Sequence, residues 1–132
     1  MKRWFGLLGI VFAGLTLLSC SSGQQLETIT ITPSAVTFLT PITPLTFQLT
    51  ALGTYSHPPA TKDLTSQVAW KSSATRIVTV TGTGVVATSG SGECGVIGIT
   101  ASLLTNSPTG NVVVGNATVT VDDTSIPNCP QQ

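Results

Sequence analysis

Strict alternation of apolar and polar residues dominates the chain. Leu45, Phe47, Leu49 and Ala51 stand at every second position with Thr46, Gln48 and Thr50 between them, the period of a strand with one buried face. Ile29 and Ile31 alternate with Thr28, Thr30 and Thr32, and Val36 and Phe38 resume the alternation after Pro33-Ser34. A Pro between two half-strands marks an edge strand that crosses from one sheet to another. Residues 63–88 are the organising stretch. Val68 and Trp70 alternate with small or polar neighbours, Ser72-Ser73 breaks the strand, Ile77 to Val80 resumes it, and Gly82-Thr83-Gly84 turns the chain into Val85-Val86-Ala87. Trp70 is the only Trp beyond the N-terminal leader, and a large aromatic on a mid-chain strand is expected to plug a small core. Further strands are expected over residues 96–103 and 117–121. Residues 40–44 read as a turn, and residues 53–62, with Pro58-Pro59, as the longest loop before the Trp70 strand. No segment sustains a helical period, so the expected class is all-β.

The N-terminus follows a different rule. Lys2 and Arg3 precede an uncharged, largely apolar run from Trp4 to Leu18, which meets Ser19-Cys20-Ser21-Ser22. This is the layout of an export signal, and the run is short for a membrane span of about 20 apolar residues. Leu17-Leu18-Ser19-Cys20 resembles the bacterial lipobox. The resemblance implies a lipoprotein signal peptide over residues 1–19 and lipidation of Cys20, with palmitate among the acyl groups. Several acyl chains on one residue anchor firmly, whereas one alone is marginal. Ser21, rather than Asp, after the Cys favours the outer membrane or cell surface over the inner membrane by resemblance to the sorting rule of two-membraned bacteria.

Beyond residue 19, three cations (Lys62, Lys71, Arg76) face five carboxylates (Glu27, Asp63, Glu93, Asp122, Asp123), a net charge of −2. There is no basic footprint for nucleic acid. Charged residues make up only 8% of the chain and Thr is its commonest residue, so the surface is expected to be rich in hydroxyls, as on the outer faces of strands. The polar residues 20–25 read as the lipidated N-terminus and linker, residues 26–121 as one domain, and residues 122–132 as a C-terminal tail.

Several stretches together resemble the bacterial immunoglobulin-like group 2 domain. They are Thr28-Ile29-Thr30-Ile31-Thr32-Pro33-Ser34, the Leu45 to Ala51 strand, Asp63-Leu64-Thr65 followed by Val68 and Trp70, Ile77-Val78-Thr79-Val80, Gly84-Val85-Val86-Ala87, and Gly95 leading into Ile97-Gly98-Ile99-Thr100-Ala101. The resemblance covers residues 26–121. It implies an immunoglobulin-like β-sandwich of about seven short strands in two antiparallel sheets and a cell-adhesion setting like that of invasin and intimin-type surface proteins. The family's module usually occurs in tandem, whereas one copy stands here. Cys94 and Cys129 are additions that the family pattern does not require.

With Cys20 assigned to the lipobox, Cys94 and Cys129 form an even pair in an oxidising compartment. Cys94 lies just before one expected strand and Cys129 beyond another. If the two pair antiparallel through residues 106–110, a disulfide closes at one end of the sheet. Free thiols and an intermolecular disulfide are the alternatives.

Candidate chemistry is sparse. Gly90-Ser91-Gly92-Glu93-Cys94-Gly95 matches G-x-G-x-x-G, but a dinucleotide site needs that loop to open a helix, and a strand follows. His57, the only His, falls in a loop and is expected to be exposed. A Ser or Cys nucleophile needs a base within reach, and the chain offers too few candidates. Asp122-Asp123 supplies too few ligands for Ca²⁺ and reads as a solvated tail. Asn116-Ala117-Thr118 fits a glycosylation sequon but falls on a strand. No enzyme, cofactor or metal is expected. The expected partners are the membrane, through the lipid on Cys20, and a protein or glycan ligand met by loops 55–62 or 104–111, with Tyr55 either a contact or a residue packed at the core edge. A passive periplasmic spacer or assembly subunit is the alternative role.

Overall fold

A computed structural model describes residues 23–39, 44–90, 92–105, 110–123, 126, 127 and 129. The signal-peptide and lipidation readings, Cys20 included, lie outside the described residues. No helix among the described residues is long and apolar enough to cross a membrane.

The described chain is all-β. Its strands are β1 (Gln25–Thr32), β2 (Ala35–Leu39), β3 (Thr46–Gln48), β4 (Thr50–Ser56), β5 (Ala60–Asp63), β6 (Ala69–Ser72), β7 (Val78–Val80), β8 (Val85–Thr88), β9 (Gly95–Leu104) and β10 (Val112–Asp122). They form three hydrogen-bonded sheets, ordered β1-β4-β5, β2-β10-β9-β6 and β3-β8-β7. The first and third are joined along the backbone, because only Leu49 separates β3 from β4 and its N–H donates to Gly84 O at 2.9 Å. All pairings are antiparallel except β2 with β10, which is parallel. Ten strands and one parallel pairing therefore replace the expected seven strands in two purely antiparallel sheets. The extra strands arise where one long run is split between pairing partners, as at Leu49 and at Pro33-Ser34. The latter break acts as expected: β1 pairs with β4 in one sheet, and β2 crosses to β10 in another.

One core lies between these sheets. Ile29 and Ile31 of β1, Leu49, Ala51 of β4, Val78 of β7 and Val86 of β8 bury against Phe38 of β2, Ile97, Ile99 and Ala101 of β9, and Ala117, Val119 and Val121 of β10. This arrangement is consistent with a β-sandwich. Each fully buried Val, Leu or Ile contributes roughly 1.5–3 kcal/mol, so the alternating rows of β9 and β10 carry much of the stability. Trp70 packs against the core but is only half-buried. The largest fully buried side chains are aliphatic: Ile31, Leu49, Leu64, Ile97 and Ile99. The indole sits at the rim because β6 is an edge strand with a neighbour on one side only. Its Nε1–H donates to Thr65 O at 2.8 Å, which satisfies the polar end of a ring that is not fully enclosed.

Two loop readings change. Residues 53–62 form a β-hairpin, with β4 running to Ser56 and β5 starting at Ala60 in the register Tyr55↔Ala60 to Leu52↔Asp63. The turn is confined to residues 57–59, where exposed His57 takes a φ of 54°. The tail is not wholly solvated either. Asp123 is buried, and its N–H meets Cys129 Sγ at 3.3 Å.

Candidate functional site

The described chain has two ends of different character. At one, Gly95 pairs with Val121, so Cys94 lies beside the start of the tail. The tail turns through Ile126 N–H to Asp123 O at 3.0 Å and Cys129 N–H to Ile126 O at 3.3 Å. Cys94 and Cys129 are disulfide-bonded with Cα atoms 5.7 Å apart. The bridge joins the residues that the sequence pairs, across the sheet end where the antiparallel β9 and β10 bring them together. Arg76 Nε and Glu93 Oε2 form a 3.0 Å ion pair near the bridge. With the arginine side chain 82% exposed, such a pair adds little stability.

At the other end lies a cleft of about 820 Å³. Gln24 and the β1 residues Gln25, Leu26 and Glu27 form one wall, Tyr55 of β4 stands beside them, and Leu104, Thr105 and Asn111 from the β9–β10 hairpin form the opposite side. Half-buried Leu26, Leu103 and Val113 give it an apolar floor. The walls are held locally. Gln24 Nε2 donates to Pro58 O at 3.0 Å, and Lys62 Nζ donates to Gln24 Oε1 at 2.5 Å while lying 4.7 Å from the centre of the Tyr55 ring. On the far side, the Thr105 N–H and hydroxyl both donate to Asn111 O, at 2.8 and 2.9 Å. Residues 106–109 of the expected binding loop lie outside the described residues.

Amides, hydroxyls and one phenol can hydrogen-bond a neutral polar ligand over an apolar floor, and Glu27 is the one carboxylate in the lining. Of the two stretches expected to meet a ligand, the first contributes Tyr55 to this cleft and the second contributes Leu104, Thr105 and Asn111. Tyr55 packs against the core edge and also lines the cleft. The sequence reading missed Gln24, Gln25 and Gln67. The first two were assigned to the linker, whereas β1 begins at Gln25. The amide pair Gln24-Gln25 directly before an alternating strand was the available signal.

The other motifs resolve simply. Gly90 and Gly92, at φ of 66° and 69°, turn the chain into β9, so the glycine motif opens a strand and not a helix. Asn116 is exposed on β10. Among the described residues, no group of three or more His, Cys, Asp or Glu could hold a metal. Hydrogen bonds from the Thr65 hydroxyl and then its N–H, at 2.8 Å, hold the exposed Asp63 carboxyl below its ordinary value. No protein-family model and no curated protein matches the chain.

Proposed function

We propose that the chain is a lipid-anchored cell-envelope module of the immunoglobulin-like group 2 type, with a non-catalytic binding or adhesion role. The signal peptide over residues 1–19 is removed, Cys20 carries the lipid, and Ser21 directs the protein to the outer membrane or cell surface. The observation that carries the binding role is that residues 24–27, Tyr55 of β4 and Leu104, Thr105 and Asn111 of the β9–β10 hairpin line one cleft on a rigid sheet scaffold, with hydrogen-bonding groups above an apolar floor. Rigid scaffolds presenting such loops are where β-sandwiches bind. The immunoglobulin-like assignment is supported by the crossing of β1 and β2 between sheets and by the order β2-β10-β9-β6. A protein or glycan is the expected ligand class.

A spacer or assembly subunit is the second reading. Its support is the short interval from Cys20 to the start of β1 at Gln25, which would hold the domain close to a membrane. An epitope placed after Gln132 and probed by antibody on intact cells separates the two. Labelling from outside agrees with surface binding, whereas labelling only after the outer membrane is opened rules out adhesion and leaves the spacer.

A further inference from the structure

The outward face of the β2-β10-β9-β6 sheet is polar along most of its length, with Thr100, Ser102, Asn116, Thr118 and Thr120 on β9 and β10. One corner departs from this. Leu104 and Val112 sit directly opposite each other and are 64% and 58% exposed, and Val114, two residues along the same face, is 48% exposed. Directly paired residues on one face touch, so these three side chains form one continuous apolar corner.

The position of this corner decides what covers it. Leu104 and Gly23 line the same cleft, so the chain enters the domain beside the corner. Cys20 is three residues before Gly23, and three residues span at most about 10 Å. The eleven residues of β10 extend over roughly 35 Å. A tether that short keeps this end of the domain, and with it the corner, within reach of the surface that holds the lipid. We propose that Leu104, Val112 and Val114 rest on the bilayer into which the Cys20 lipid inserts, a reading that depends on the lipid anchor proposed above. Apolar side chains next to an acyl anchor add their own buried area to the attachment. Lys62, whose ammonium meets Gln24 Oε1 and the Tyr55 ring, lies at this end as well, and Glu27 offsets it within the cleft wall. The contact is therefore apolar and not electrostatic. Two consequences follow for the molecule. The cleft opens at the membrane surface, so a ligand reaches it from there, and the disulfide end projects away from the membrane.

The full chain, purified from membranes and placed in phosphatidylcholine nanodiscs containing a headgroup-nitroxide lipid, tests this by methyl NMR. Val96 is the internal reference, because it is exposed on the same face at the opposite end. The methyl signals of Leu104, Val112 and Val114 should be broadened severalfold more than those of Val96. In a Leu104→Gln, Val112→Thr, Val114→Thr variant, the broadening of Leu103 should fall severalfold, which separates docking from tethering alone. Equal broadening of Val96 and Leu104 in the wild-type chain overturns the proposal without reference to the variant. Unchanged broadening of Leu103 in a folded variant also overturns it. Intact mass of the same sample tells the two failures apart. Absence of acyl chains refutes the anchor and the docking together, whereas acylated protein without selective broadening refutes the docking alone.

Discussion

Among the described glycines, Gly84 and Gly115 are those at which a neighbouring backbone leaves least room. Gly84 has a φ of 80°, and a Cβ there would stand 2.5 Å from the Leu49 carbonyl oxygen, the residue that splits one long run into β3 and β4. Gly84→Ala is expected to destabilise the domain by about 1–3 kcal/mol, read as a lower urea midpoint. Gly82→Ala, in open space within the same turn, should stay within about 0.5 kcal/mol. A Cβ on Gly115 would stand 2.6 Å from the Ile29 carbonyl oxygen, so Gly115→Ala must push β1 away from β10 and should lower the midpoint as well. Asp63 ties pH to stability at this scale. Its folded pKa is depressed, so its contribution is present above the ordinary carboxyl value and is lost as pH falls through that value towards the folded one. Thr65 Oγ1 also accepts from the Ala51 N–H at 2.9 Å, which couples this exposed carboxylate to a strand of the core. Asp63→Asn should flatten the acid limb of a denaturation midpoint measured against pH.

At the scale of elements, strands that turn one face into the core were legible at sheet edges as well as at sheet centres, and β5, which buries no residue, was not. Ile97-Ile99-Ala101 and Ala117-Val119-Val121 alternate because one face of β9 and β10 is buried in the core. β5 gives no such signal. Its residues Thr61, Lys62 and Asp63 are exposed at a sheet edge, and Pro58-Pro59 read as a loop although the turn occupies only residues 57–59. Trp70 shows the same limit from the other side. Alternation gave its face correctly, but depth depends on whether a strand lies beyond β6, which no local pattern encodes. Asp123 looked solvated because its cover comes from a tail held by a bond to a cysteine 35 residues away in sequence. Closing a loop of that length is expected to stabilise the fold by about 3–4 kcal/mol in the chain-entropy description. Cys129→Ser, or reduction of the wild-type protein, should lower the urea-derived stability by up to that amount. The β9–β10 amide signals should keep their pattern, since the hairpin also closes at its other end through Thr105 N–H to Asn111 O.

For the whole molecule, the all-β class was legible in the sequence but the cleft was not. Its lining comes from residues 23–27, Tyr55, Gln67, 103–105, Asn111 and Val113, segments that only the sheet order brings to one end. The functional proposal therefore rests on both sources: on the lipobox-like residues 17–20 for the proposed anchor, and on the fold for the end of the domain nearest to it. Incorporation of labelled palmitate in a bacterial host, compared between the wild-type chain and Cys20→Ser, tests the lipid-anchored module most directly. The expected result is label on a membrane-bound wild-type protein and none on the variant. An unlabelled wild-type protein, cleaved elsewhere and recovered in the soluble extracytoplasmic fraction, would contradict the anchor and the orientation built on it.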